Sequence, residues 1–502
     1  MICLRKGKQT EGAIAPIGMI FPVVRNLEEK SSGFFMFGLV PIHSNFEGRV
    51  YGNMESFFKL KELGTNVRTE IMAGITTFMT MAYILVVNPG ILSGAGLSFE
   101  SVFLATALAA GIFTIAMGLF VNFPVALAPG MGLNAFFATT VITSKATGHE
   151  ITAEMGLAAV FISGIIFFIL TVTQVRQILV VAIPDALKHA ITVGIGLFIA
   201  IVGMKNSGLM SIITFEDGGT LLTMGHLKDP TVWLTIVGLG IIALLMVLRV
   251  KGAILIGMLV ITLLGALPGV DLVHFNTLKE ASWTPNFGEL NFWHMDFADL
   301  FTTGLLTAIA TFTFVELFDT FGTLVGTANR AGFFKNKEEG NKKVGKAMFV
   351  DSLAVSGGAM LGTSTVTAYV ESSAGIAEGG RSGLTAVTTG ACFLLALFLL
   401  PLALLIPGPA TSAALIIVGV LMVQSVKEID FTDLVIGIPA FLTVTIMPFT
   451  YNIANGISFG IVSYVLLAFV ANLAGDKKHK IHWLMWVLFF IVIARYVFVG
   501  GE

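Results

Sequence analysis

The chain has 502 residues, of which 55% are hydrophobic and only 12% charged, with a formal net charge of −2. Soluble domains carry about 25% charged residues, so most of this surface cannot be hydrated, and a mean hydropathy of +0.89 points the same way. The near-neutral balance excludes a general nucleic-acid surface. The two cysteines, Cys3 and Cys392, give neither a disulfide framework nor a metal-ligand spacing.

Residues 1–58 mix basic and acidic side chains with two apolar patches, Ile14–Val24 and Phe34–Pro41. Each patch is shorter than the roughly 18–20 residues needed to cross a hydrocarbon core, so a non-membrane leader is expected here. Met54 opens the stretch M-E-S-F-F-K-L-K-E-L-G, which reads as a natural start and makes 1–53 a candidate for a dispensable or mis-started segment.

From residue 69 onward, apolar segments of spanning length alternate with short polar joints, the pattern of a helical bundle in lipid. Seven are predicted at 69–92, 100–121, 127–143, 156–175, 187–204, 231–249 and 252–268. After a loop at 269–297, seven more are predicted at 298–327, 345–361, 365–378, 383–406, 410–426, 432–450 and 453–474. Residues 476–502 form a cationic joint and a last apolar stretch, 483–499, that either crosses or lies at the interface. With the first span starting in the cytoplasm, the inside joints collect eighteen Lys and Arg residues, and the outside joints only Lys145, Lys205, Lys228 and Lys279. That split fits fourteen crossings of a plasma membrane by the positive-inside rule, and it makes 269–297 extracytoplasmic.

The two sets of seven resemble each other. I-P-D-A-L-K-H-A-I-T-V-G-I-G-L-F (183–198) parallels I-P-G-P-A-T-S-A-A-L-I-I-V-G-V-L (406–421), and G-A-I-L-I-G-M-L-V (252–260) parallels G-I-S-F-G-I-V-S-Y (456–464). An odd number of spans forces the halves, 59–268 and 298–475, into opposite orientation, a transporter device that yields alternating access. The expected fold is therefore an all-α polytopic membrane protein of about fourteen segments in two inverted seven-segment repeats.

The third and tenth segments are the weakest helices. Pro124, Pro129, Gly130 and Gly132 break P-V-A-L-A-P-G-M-G-L-N-A-F-F, and β-branched residues crowd G-T-S-T-V-T-A-Y-V-E-S-S-A-G. They occupy corresponding places in the two halves, and paired interrupted segments point to a binding site near the midplane. The ionisable residues gather in the same region. T-F-V-E-L-F-D-T-F-G puts Glu316 and Asp319 one turn apart on one helical face, Asp351 falls in the ninth span and Glu371 in the tenth. A carboxylate at bilayer depth costs about 2.5–3.5 kcal/mol on insertion scales, so such a cluster is expected to load and release a proton or bind substrate. Asp351, near a span end, also reads as a helix cap. Asn134 can present both donors and acceptors, and Phe136, Phe137 and Tyr369 are candidate stacking faces or packing residues.

Apparent enzyme motifs dissolve on inspection. G-I-S-F-G (456–460) has the letters of a nucleophile elbow but lies inside an apolar span. G-M-G-L-N-A and G-L-G-I-I-A open no soluble strand–turn–helix unit, and the histidines are scattered. No enzyme activity, metal or cofactor is expected.

The third-, eighth- and tenth-segment motifs, in order and correctly spaced, resemble the nucleobase–cation symporter-2 family, and within it the AzgA-like purine branch of guanine/hypoxanthine permeases. The resemblance runs from about Met54 to the C-terminus. It implies a core domain (59–175 and 298–406) and a gate domain (176–268 and 407–475), with substrate between the third and tenth segments beside the eighth. It also implies a purine nucleobase as substrate, a proton as coupling ion and, loosely, a homodimer. By motif, Asn134, Glu316 and Glu371 are expected to bind substrate and Asp319 to couple the proton; Tyr369 joins the first group and Asp351 the second as candidates from their place in the sequence. A purine is flat, neutral and edged with N–H groups, which suits carboxylate acceptors. Adenine, xanthine or uracil on the same fold is the alternative.

Overall fold

The structure, a computed structural model, describes residues 54–147, 151–173, 182–214 and 220–498, except 274, 277, 279–280, 299–301, 336 and 476–477. The expected leader at 1–53 lies outside the described residues.

Helices begin where a short polar side chain can accept a backbone N–H. Asn66 Oδ1 accepts from Thr69 N at 3.0 Å before α1 (Val67–Met81). A break at Ala82 and Tyr83 leads to α2 (Ile84–Ser93), and Ser98 Oγ accepts from Ser101 N at 3.1 Å before α3 (Phe99–Ala116). α3 widens into a π turn at Met117–Val121 and stops at Asn122, in the left-handed region at φ 54°. Next come β1 (Leu127–Pro129), α4 (Met131–Thr147) and α5 (Ala153–Val172), the last capped by Thr152. α6 (Asp185–Asn206) is followed by a hairpin of β2 (Met210–Thr214) and β3 (Thr220–Met224), then α7 (Pro230–Val247) and α8 (Ala253–Gly265). Beyond the loop lie α9 (Thr303–Arg330), α10 (Lys337–Leu361), β4 (Val366–Ala368) and the short α11 (Ser372–Ala377). α12 (Gly383–Leu395) continues through a 3-10 turn to Ala403, followed by α13 (Gly408–Val423), α14 (Leu434–Phe449), α15 (Ile453–Leu473) and α16 (Trp483–Phe498).

Among the described residues, ten helical stretches are long and apolar enough to cross a membrane; Met131–Ile142, Ala253–Gly265, Leu434–Phe449 and Trp483–Val497 are shorter apolar helices. The outer surface confirms the solvent. Val247 is 79% exposed and Leu473 71%, which suits lipid and would be costly in water.

Three departures from the sequence reading have physical causes. The all-α expectation is corrected by two small antiparallel sheets, β1 with β4 and β2 with β3. The first part of the third and of the tenth segment is not a broken helix but a strand, because Pro124 and Pro129 cannot donate in a helix and Val366 and Thr367 favour extended backbone. The Lys-rich stretch read as a joint before residue 345 is the opening of α10, whose first turn carries Glu338 and Glu339, a favourable placement at a helix N-terminus. The last apolar stretch, left open by the sequence as a span or an interfacial helix, forms α16. Its Trp486 ring sits 5.5 Å from Phe469 and its Tyr496 hydroxyl donates to Asn455 at 2.9 Å, so it runs antiparallel along α15.

Helices meet where small residues let backbones approach. A Cβ on Gly118 would lie 2.4 Å from Gly383 O, which sets the contact of the α3 π turn with α12. A Cβ on Gly164 of α5 would lie 2.3 Å from Ser356 Oγ of α10, and one on Gly419 of α13 would lie 2.5 Å from Gly196 O of α6. The most extensive pairs are α13 on α6 and α14 on α15; α12 also packs on α3 and α10 on α5, α12 on α1 and α9 on α5, and α14 on α6 and α13 on α7.

Candidate functional site

The strand parts of the two interrupted segments cross in the interior. β1 and β4 pair antiparallel, Leu127 opposite Ala368 and Pro129 opposite Val366. Flanking bonds extend the pairing: Gly130 N donates to Thr365 O at 2.9 Å and Tyr369 N to Ala126 O at 3.0 Å. Each strand delivers the chain directly into a helix, α4 after Gly130 and α11 after Glu371. The free edges are satisfied by side chains, as buried backbone requires. Ala126 N donates to Ser372 Oγ at 3.0 Å and Leu127 N to Thr114 Oγ1 at 2.8 Å. Tyr369, a candidate contact residue, is buried, and its hydroxyl donates to Pro129 O, lacing the two crossing segments together.

The four acids divide into two groups. Glu316 and Asp351 are buried at 1% and 0% exposure and flank one hydroxyl. Thr320 Oγ1 lies 2.8 Å from Asp351 Oδ2, 3.4 Å from Glu316 Oε1 and 2.9 Å from Thr367 Oγ1. A threonine has one proton to donate, so it serves Asp351 at the shorter distance and Thr367 can donate to it in turn. Glu316 Oε2 has no hydrogen-bond partner among the described residues. Asp351, read from the sequence as a possible cap near a span end, thus belongs to a buried polar cluster.

Glu371 stands in the second group, half-buried in the turn between β4 and α11. Its Oε1 accepts from the hydroxyl of Tyr83 at 2.8 Å. Tyr83 is fully buried at the break between α1 and α2. Asp319, half-buried on α9, lies within electrostatic reach of Glu371 and of Tyr369. Glu316 and Asp319 also sense one another along α9, but their principal neighbours differ: α10 for one, the tenth segment for the other. Among the described residues, Glu316, Asp319 and Glu371 take part in no ion pair.

Asn134 is engaged at both ends of its amide. Its Nδ2 donates to Asn88 Oδ1 at 2.6 Å and its Oδ1 accepts from Ser364 Oγ. Asn88 in turn donates to Thr106 Oγ1 at 2.7 Å and Thr363 Oγ1 at 2.8 Å. This buried knot ties α2, α3, α4 and the tenth segment into one unit. Phe136 and Phe137 pack: Phe136 meets Phe312 edge-on at 5.1 Å, and Phe137 fills the space beside Gly156.

Sequence reasoning missed Tyr83, Asn88, Thr320 and Thr367, and one acid as well. Glu70 is fully buried at the start of α1. Its carboxylate accepts from Arg381 N at 2.8 Å, from Ser382 N and Thr385 N at 3.2 Å each, and from Thr385 Oγ1 at 2.6 Å. It neutralises the free N–H groups at the start of α12. An asparagine before Pro89 inside an apolar run was the available signal for Asn88; Glu70 looked like an ordinary first-turn acid.

The sequence profile described as Permease family matches residues 68–459. The guanine/hypoxanthine permease PbuO of Bacillus subtilis is 43% identical over 442 residues, 86% of this chain and 99% of that protein. The adenine permease AdeP of Escherichia coli is 44% identical over 416 residues, 83% of this chain and 90% of that protein. Among solved structures, the murine Solute Carrier 26 family member A9 anion transporter superposes with a TM-score of 0.59, covering 85% of this chain and 73% of its own at 12% identity, a likeness of fold. The apolar helices and these relatives make the chain a multi-pass transport protein of the plasma membrane. It belongs to the Permease family, in the purine-base branch of the nucleobase–cation symporters that its motifs resemble.

Proposed function

We propose that this protein imports purine nucleobases, hypoxanthine or guanine first, by proton symport through alternating access. The observation that carries the reading is the half-buried Glu371 at the crossing of β1 and β4, held by Tyr83 and facing Asp319. A carboxylate there is an acceptor for the N–H edge of a flat neutral base, with Glu316 as a second acceptor whose Oε2 has no protein partner among the described residues. Tyr369 and Asn134 then shape the wall: Tyr369 holds the crossing strands, and Asn134 fixes α4 against α2 and the tenth segment. Relatives named for guanine/hypoxanthine and for adenine support a base as cargo.

Proton coupling is assigned to Asp319 together with the Glu316–Thr320–Asp351 cluster. Carboxyls at bilayer depth are natural proton sites, and Asp319 lies within electrostatic reach of Glu371 while sharing α9 with Glu316.

The alternating-access part rests on symmetry. Numbering the segments one to fourteen, the antiparallel pairing of β1 with β4 joins three to ten, which is what opposite halves produce. The helix pairs obey the same exchange of n with n + 7: α12 on α3 (eleven on two) answers α10 on α5 (nine on four), and α14 on α6 answers α13 on α7. The pairs named here fall within two groups, segments one to four with eight to eleven and five to seven with twelve to fourteen, with smaller contacts between the groups, which supports a core and a gate.

The test is equilibrium binding of labelled hypoxanthine to membranes holding wild type or Glu371→Gln, with guanine, adenine, xanthine and uracil as competitors. Turning half of an acceptor into a donor should cost about 1.5–3 kcal/mol, on the order of ten- to a hundredfold in Kd. Wild-type affinity in Glu371→Gln overturns the site. Competition by adenine, xanthine or uracil alone moves the assignment to that base.

A further inference from the structure

Outside the acidic site, the described residues line an open cavity of about 450 Å³ between α9, α15 and α16. That volume lies within the roughly 300–1,000 Å³ of ligand pockets. Its walls run from Leu306 to Phe314 on α9, from Ala454 to Ile461 on α15 and from Leu488 to Arg495 on α16. At 1.5 Å per residue this is a slot about 10–12 Å long, parallel to the helices. The lining is mostly apolar, with Thr307, Thr311, Ser458 and Arg495 as its polar residues, and the Thr311 hydroxyl is already used on Thr307 O at 2.8 Å. Substrate chemistry of the kind placed at Glu371 has no counterpart here.

One charge breaks the pattern. Arg495 closes an end of the slot, beside Ser458 Oγ at 3.5 Å and over the Tyr496 ring at 5.1 Å. Among the described residues no acid pairs with it. A guanidinium at the end of an apolar helix is costly without an anion or water, and its planar fork matches phosphate oxygens. Because α16 runs antiparallel along α15, Arg495 sits level with the start of α15, at the end of both helices. That is the depth at which a lipid headgroup lies when its chain follows the helices inward.

We propose that this slot is a binding site for one anionic phospholipid, its acyl chain between α9 and α15 under the cover of α16 and its phosphate on Arg495. The chemistry selects the occupant: a tail-shaped apolar channel with one cation at its mouth fits an amphipathic anion of the surrounding bilayer. The consequence lies in the position. α9 carries Glu316 and Asp319, and in the core-and-gate reading proposed above α9 and α15 belong to opposite bodies. A lipid wedged between them fills the seam across which the bodies slide, so transport rate becomes dependent on anionic lipid.

Native mass spectrometry of the purified full chain, released from equimolar phosphatidylglycerol and phosphatidylcholine of the same acyl chains, tests the site without reference to transport. Wild type should retain phosphatidylglycerol over phosphatidylcholine by at least fivefold. Arg495→Gln should reduce the preference to near unity, and Arg495→Lys should keep most of it. Ala310→Phe, which fills the slot, should lose both adducts while eluting as folded protein on size exclusion. Equal retention of the two lipids by wild type, an undiminished preference in Arg495→Gln, or full lipid retention in Ala310→Phe would each overturn the proposal. In vesicles, the anionic-lipid dependence of uptake should vanish in Arg495→Gln; a dependence that persists unchanged would separate lipid control of transport from this slot.

Discussion

Thr320 has more contacts than a single hydroxyl can satisfy as donor: Asp351 at 2.8 Å, Thr367 at 2.9 Å and Glu316 at 3.4 Å. If that cluster holds a proton during the cycle, Thr320→Val removes the bridge while keeping the volume. Hydrogen bonds to charged groups contribute about 1.5–3 kcal/mol, so concentrative uptake should fall on the order of tenfold or more with the protein still folded; unchanged accumulation would remove Thr320 from the proposed coupling path. Asp319→Asn should behave differently, sparing much of the base binding while stopping accumulation. Equilibrium binding and uptake measured in the same membranes separate the two, and intact accumulation in Asp319→Asn would sink its coupling role. At this scale the acids were legible, because a charge inside an apolar run declares itself. The partners that sort them were not. Tyr83 and Thr320 are ordinary residues whose meaning depends on which helix faces them, and Asn134 could be named but not its complete engagement by Asn88 and Ser364.

Among elements, periodicity and length located the segments, and prolines with β-branched residues marked the two weak ones. What those signals could not give is that the weak parts pair with each other. β1 and β4 are three residues each and are separated by more than two hundred positions, so neither reads as a strand alone. The pairing of β2 with β3, neighbours in sequence, was passed over because it lies in a joint between two apolar segments. Close helix packing is a second property of elements that the sequence only hints at through its glycines. Gly164 faces Ser356 of α10, where a Cβ would come within 2.3 Å of Oγ and 2.7 Å of the backbone N. Gly164→Val should therefore push α5 from α10 and cost about 1–3 kcal/mol, read as a lower unfolding midpoint in detergent. Gly240→Ala, with nothing within 4 Å, should be neutral or gain up to about 1 kcal/mol from helix propensity. An equal loss in both would show that the close approach is not what stabilises this contact.

For the whole molecule, composition alone placed the chain in lipid, and the charge split of the joints is the basis for expecting a cytoplasmic start. The paired helix contacts support the inverted halves, and the acids sit where those halves cross. The function proposed above is that of a carrier with its base at Glu371 and its proton on the neighbouring carboxyls. The direct measurement is labelled hypoxanthine accumulation in proteoliposomes with an imposed pH gradient, acid outside, in sodium-free buffer. Wild type should concentrate the base transiently and lose the gain on adding a protonophore, and Asp319→Asn should equilibrate without concentrating. Accumulation that ignores the protonophore, or that appears only when a sodium gradient replaces the proton gradient, would contradict the account.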